Sequence, residues 1–238
     1  MKVKSENRDN EKGSALVYIL IAIALLALLT ITFMQPASQQ TGSQNTFKLV
    51  SELQTQADFI RSAVQECVVN YPGGDAGALS GSPAPQSNQP YPLNPSSTYF
   101  SGCGSSAAAA NDSVQYLRCP GNPGDNVCHT VMFGGSTGKF LPPTPDLFDK
   151  MADGSSGWQW YNGPDGVFFW IATSKTDAFI TTALQKLDAS YAKCEAEVIS
   201  ASNPLDTAAT VSCPAGAKCF RVWMITKPGA TFYDAGCP

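Results

Sequence analysis

One uncharged stretch constrains this chain more than any other: Gly13 to Phe33 reads GSALVYILIAIALLALLTITF, without Asp, Glu, Lys or Arg. It follows a short leader carrying Lys2, Lys4, Arg8 and Lys12. The residues from Ser14 to Phe33, at ~1.5 Å each, make a helix of about 30 Å, the thickness of a bilayer's hydrocarbon core. A single membrane span is therefore expected, with the basic leader on the cytoplasmic side. All eight cysteines lie C-terminal to the run. That places the rest of the chain in an oxidising compartment.

The cysteines are Cys67, Cys103, Cys119, Cys128, Cys194, Cys213, Cys219 and Cys237. An even count, widely spaced and mostly in Gly-, Pro- and Ser-rich surroundings, suits four disulfides, with the connectivity open. There is no C-x-x-C, and His129 is the only histidine. That removes the thioredoxin motif and the usual zinc ribbon and leaves a Cys/His metal site little to draw on, so no metal or cofactor is expected. Beyond Met34 the chain holds eleven Lys plus Arg against sixteen Asp plus Glu, with no basic run. Nucleic acid is a poor partner for such a surface, because phosphate binding needs clustered cations.

After the apolar run comes PASQQTGSQN, Pro36 to Asn45, polar and expected to be flexible, with Gly42 able to interrupt a helix. Then Phe47, Val50, Leu53, Ala57, Ile60, Val64 and Cys67 recur at intervals of three and four, one stripe of an amphipathic helix. Ser51, Gln54, Gln56, Arg61 and Gln65 are read as its polar face. Asn70-Tyr71-Pro72-Gly73-Gly74 should end it. Anchor and amphipathic stretch together would span about 55 residues, or ~80 Å. That is far more than an anchor needs, and it suits helices bundled in the shaft of a filament.

A charged leader ending in Gly13, an apolar helix starting at once at Ser14, Pro36 some two dozen residues on and then an amphipathic helix resemble a type IV prepilin or a type II secretion pseudopilin. The resemblance covers Met1 to about Asn70. It implies cleavage between Gly13 and Ser14 by a prepilin peptidase, and a non-enzymatic subunit. That subunit would sit in the bacterial inner membrane, its C-terminal domain periplasmic or extracellular, and assemble with other pilin-like subunits. The fifth residue of the processed chain would be Tyr18, where major pilins carry a glutamate. The chain is in this respect more similar to minor or tip-initiating members. The alternative is a signal-anchored extracytoplasmic binding domain or adhesin that never assembles.

The expected organisation is a leader (1–13), a transmembrane helix (14–34), an amphipathic extension (35–70) and an extracytoplasmic disulfide-rich domain (71–238). That domain is expected to be α+β, a mostly antiparallel sheet with a second packed helix. Residues 71–112, rich in Gly, Pro, Ser, Asn and Ala, read as a long surface loop. Strands are expected over Val114–Cys119 and Thr130–Phe133, and a hairpin over Trp158–Tyr161 and Val167–Ile171 around Asn162–Gly166. Thr176 or Asp177 can cap a helix containing Phe179, Ile180, Ala183, Leu184, Leu187 and Tyr191. A last hairpin should pair Ala209–Cys213 with Cys219–Thr226.

The chemical motifs are weak. Gly134-Gly135-Ser136-Thr137-Gly138-Lys139 lacks both the first Gly and the hydroxyl residue of a phosphate loop, so a glycine-rich turn is expected. Cys128-His129 lacks the first cysteine of a haem-attachment motif. Asp146, Asp149 and Asp153 lack the alternation and terminal Glu of a calcium loop, and read as a solvated turn. No catalytic residue is expected. Trp158, Trp160, Phe168, Phe169 and Trp170 should divide between the two faces of a sheet, with an outward remainder free for a ligand.

Overall fold

The computed structural model describes residues 9–72, 91–92, 113–119, 131–134, 137–151 and 156–237, with α1 side chains given for 16–30 and from 42 onward. Two compact units divide the chain, Met1–Phe47 and Lys48–Pro238.

Helix α1 runs Asp9–Asn70, 62 residues without interruption. It begins inside the leader rather than at Ser14, and it continues through Pro36–Asn45, where a flexible break was expected. A break there would create two new helix ends, each with four unpaired backbone groups. Continuing past one Pro and one Gly costs less than two such ends. Thr46 supports the following turn by donating its hydroxyl to the Gly42 carbonyl at 2.8 Å. In the first unit the apolar side chains from Leu16 to Leu29 are exposed. Among the described residues no helix is long and apolar enough to cross a membrane. The run marked in the sequence extends past both ends of the segment whose side chains are described.

The second unit is α+β. Its sheet has four strands, β1 (Gln159–Gly163), β2 (Gly166–Thr173), β3 (Ala196–Ser200) and β4 (Lys218–Thr226), in the order β1-β2-β4-β3. Every pairing is antiparallel. The expected β1–β2 hairpin forms, joined by only Pro164 and Asp165, with Gly163 opposite Gly166. Gly166 has φ +143°, and a Cβ there would collide with the Ile225 carbonyl of β4. This position therefore requires glycine.

Helix α2 (Ala178–Asp188) follows β2. Asp177 occupies its N-cap as expected, but it acts through its backbone carbonyl, which accepts from Ile180 N at 3.1 Å. Tyr191 falls beyond the helix end.

One face of the sheet is covered by α1 and α2. Leu49, Leu53, Ile60, Val64, Ile180 and Leu184 pack there against Trp158, Phe169, Ile171 and Phe220. The other face is covered by irregular chain, with Leu205, Ala217 and Phe232 packing against Phe168, Trp170 and Trp223. Hence all eight residues of β2 are buried.

Four expectations are corrected here. Val114–Tyr116 is a 3-10 turn rather than a strand, flanked by single bridges from Ser113 to Gln159 and from Arg118 to Val131. Ser113 draws the chain into that turn by accepting Gln115 N. The strand facing β4 is β3, not Ala209–Cys213. The latter instead closes a tight loop in which Leu205 N donates to Val211 O at 2.7 Å and Cys213 N to Asn203 O at 2.9 Å. Phe47 is 61% exposed, and Leu49 takes its place on the buried stripe. Gln56, expected on the polar face, is buried: it donates to Pro143 O at 2.9 Å and accepts from Trp158 Nε1 at 2.7 Å.

Candidate functional site

Gly13 and Ser14, the expected processing junction, lie in the first turns of α1. Tyr18, the residue where an acid would be expected in a major pilin, is 70% exposed, and its apolar neighbours along the helix are exposed as well. The segment from Leu16 onward thus offers a continuous apolar surface.

Among the described residues, three disulfides frame the second unit: Cys67–Cys119, Cys194–Cys237 and Cys213–Cys219. Cys103 and Cys128 lie outside the described residues, as does His129. Each bridge has a distinct mechanical task. Cys67–Cys119 ties the end of α1 to the segment that runs into the sheet. Cys194–Cys237 fastens the C-terminus to the loop before β3. Cys213–Cys219 closes the approach to β4 across six positions.

Beneath the irregular cover lies a cluster of charged side chains that the sequence does not announce. Glu197 and Arg221 sit directly opposite one another on β3 and β4, both fully buried, and form an ion pair. Arg221 also donates to the carbonyls of Leu205 and, at 2.8 Å, Thr231. Its guanidinium lies over the rings of Trp223 and Phe168 at 4.6 and 5.4 Å. Glu197 accepts from Tyr233 N at 2.7 Å and Asp234 N at 3.1 Å. Burial lowers the Arg221 pKa, and the adjoining Glu197 works against that.

The hairpin turn meets a second pair of carboxylates. Asp206 accepts from Thr210 Oγ1 at 2.6 Å, Val211 N at 2.7 Å and Thr210 N at 3.2 Å. Burial by itself would raise this carboxyl; the hydrogen bonds outweigh it and hold the pKa below the usual range. Asp165 accepts from Thr207 N at 2.8 Å. The Tyr161 hydroxyl faces both acids, and burial first, then hydrogen bonding to Asp165 and the charges of the two acids, push its pKa well up.

Such groups act as staples. Their acceptors are engaged by backbone N–H groups of the covering segment, and that segment replaces water over the sheet. Deleting either member of the Glu197–Arg221 pair would strand a buried charge.

The other sequence candidates resolve into structure. Gly134 N donates to Lys139 O at 2.6 Å, and Lys139 pairs with Glu66 at 2.6 Å; Gly135 and Ser136 lie outside the described residues. Asp146 pairs with Lys150 at 2.9 Å, and Asp149 accepts from Ser174 Oγ at 2.9 Å; Asp153 lies outside the described residues. The expected outward aromatic remainder is absent: Trp158, Trp160, Phe168, Phe169 and Trp170 are all buried. Both sheet faces are covered, so alternation sends these rings into two cores rather than one core and solvent. Among the described residues, two concavities of the second unit, of about 320 and 480 Å³, share Pro142 and Pro143 in their walls.

No family model, no curated protein and no solved structure matches this chain.

Proposed function

We propose that the chain is a minor pilin-like or pseudopilin-like structural subunit of an envelope filament, placed at the tip or in an initiation complex. The observation carrying this reading is α1. An exposed apolar segment from Leu16 to Leu29 lies in the same 62-residue helix as the stripe from Leu49 to Cys67 that forms the core of the second unit. A simple anchor has no use for a helix continued so far, whereas a filament packs apolar helices together and holds the attached domains outside. Lacking an acid at position 18, the subunit has no side chain there to neutralise a neighbour's terminal amine in an apolar bundle, where an unpaired charge is costly. A tip subunit, with nothing ahead of it, escapes that penalty.

N-terminal sequencing and quantitative mass spectrometry of sheared filaments test this. The expected result is a mature chain beginning SALVY, present far below stoichiometry with the main subunit. A chain that keeps Met1 and is absent from filaments and their assembly complexes overturns the proposal in favour of an anchored binding domain. A chain that dominates the filament refutes the tip placement.

A further inference from the structure

Among the described residues, the bridge Cys194–Cys237 differs from the other two in exposure, backbone conformation and charge. Both of its cysteines are half-buried. Each of the others has at least one buried sulfur, with Cys67 3%, Cys213 1% and Cys219 0% exposed. Its chain neighbours Ala192, Lys193, Ala235 and Gly236 are exposed, so an incoming thiol has access to it. Cys194 also stands at φ +68°, in the left-handed region that residues with a β-carbon seldom adopt. Exposure and strain are what separate disulfides that exchange from those that only brace a fold.

The charge beside the bridge favours its opening. A β-carbon on Gly236 would stand 2.7 Å from Lys193 Nζ, so this ammonium lies against the residue before Cys237. A cation beside a cysteine stabilises its thiolate, and a sulfur that leaves as a stabilised thiolate leaves faster. The carboxylate next to Cys194 is engaged elsewhere: Glu195 pairs with Arg61 and accepts from Ala192 N at 3.1 Å.

Contacts upstream of the bridge decide what its opening releases. The C-terminal arm, residues 227–237, has no helix or strand. Thr231 O accepts from Arg221 at 2.8 Å, and Tyr233 N and Asp234 N donate to Glu197 at 2.7 and 3.1 Å. The Tyr233 hydroxyl donates to Pro204 O at 2.8 Å. None of these bonds involves sulfur. The sheet and its two cores therefore stay folded when the bridge opens, while the arm loses the anchor at its end.

We propose that Cys194–Cys237 is an exchange-active disulfide, through which a protein dithiol loosens the C-terminal arm without unfolding the domain. A thiolate of that dithiol attacks Cys194 Sγ. The bond between Cys194 and Cys237 breaks as the new one forms, and Cys237 departs as a thiolate beside Lys193 and takes up a proton. The second thiol of the dithiol then displaces Cys194. In sum the bridge gains two electrons and two protons, and the dithiol ends as a disulfide. The proposal stands on the second unit alone and holds whether or not the chain enters a filament.

The test exposes the oxidised full chain, in detergent, to reduced thioredoxin. Free thiols are trapped with N-ethylmaleimide at intervals and mapped by peptide mass spectrometry. Cys194 and Cys237 should be trapped together, roughly tenfold or more faster than Cys67, Cys119, Cys213 and Cys219. At that point tryptophan fluorescence should still be that of the folded chain. Hydrogen exchange should rise in the peptide over residues 228–238 and stay unchanged in β2 and β4, and oxidised glutathione should reverse the rise. Lys193→Glu, at an exposed position, should slow the trapping roughly threefold and leave the urea midpoint of the oxidised chain unchanged. The proposal is overturned if either other bridge opens first or alongside, or if opening abolishes the folded fluorescence. It is equally overturned if exchange over 228–238 does not rise, or if Lys193→Glu leaves the rate of trapping as it was.

Discussion

Replacing Gln56 by Leu tests how the long helix is fastened to the sheet. Gln56 is 2% exposed, and its amide makes two hydrogen bonds, from Trp158 Nε1 at 2.7 Å and to Pro143 O at 2.9 Å. Leucine keeps the packing volume and removes both bonds. Trp158 is fully buried, so its indole N–H has no water to turn to, and an unsatisfied buried donor costs about 1–3 kcal/mol. Pro143 is exposed, so its carbonyl can be rehydrated and contributes about 1 kcal/mol or less. The expected destabilisation is therefore about 2–4 kcal/mol. For a domain of this size that lowers the thermal midpoint by roughly 5–12 °C. The assay is urea unfolding of the oxidised full chain in detergent, followed by tryptophan fluorescence. Gln65→Leu, at an exposed position of the same helix, serves as control and should stay within ~0.5 kcal/mol. Trp158→Phe closes a double-mutant cycle, with a coupling of about 1–2 kcal/mol between positions 56 and 158. If Gln56→Leu costs no more than Gln65→Leu, or the cycle gives no coupling, the bonded amide does not fasten the helix and the reasoning fails.

Two further perturbations follow from the geometry. Asp188 ends α2, where the helix dipole opposes a negative charge. Burial, then repulsion from Asp234 and Glu197, raises its pKa from an ordinary 3.8 to about 6. The folded state thus holds this proton more tightly than the unfolded chain, and stability falls as pH rises from about 4 through about 6. The group is only half-buried, and screening by solvent reduces the effect to about 1 kcal/mol. Asp188→Asn should raise stability by that amount at pH 8 and flatten the decline; equal pH profiles for the two proteins would exclude the site as its source. Gly166→Ala forces a side chain onto a backbone at φ +143° and against the Ile225 carbonyl, and should cost about 1–3 kcal/mol or prevent folding. Unchanged unfolding of that variant would show that the hairpin can shift off β4.

What could be read from the residues was what local spacing controls. The β1–β2 hairpin, α2, and the stop of α1 at Asn70 each carry a periodic pattern or a breaker within a few residues. The stripe from Leu53 to Cys67 was legible for the same reason, though Gln56 was misplaced: a glutamine reads as polar surface until Trp158, about a hundred residues on, offers an indole N–H. Failures cluster where partners are distant. Ala196-Glu197-Val198-Ile199-Ser200, interrupted by a charge, was not legible as a strand; it pairs with β4, where Arg221 lies opposite Glu197. Ala209–Cys213 resembled a strand, but Asp206 accepts the N–H groups of Thr210 and Val211 and winds the chain into a loop instead.

The aromatic run shows how a covering segment changes what a sheet can do. With Trp158, Trp160, Phe168, Phe169 and Trp170 on adjacent strands, a sheet packed on one face only would leave some of these rings in water, a ready binding surface. Here the C-terminal arm closes the second face, and it is held by directional contacts rather than by a strand or helix of its own. Arg221 and Glu197 take up the Thr231, Tyr233 and Asp234 backbone, Phe232 lies against Trp223 at 5.7 Å, and Cys194–Cys237 ties off the end. The rings that a binding sheet would have offered are thereby committed to the two cores. The large apolar side chains left in solvent lie mostly outside the sheet, among them those of α1 from Leu16 to Leu29 and that of Phe140.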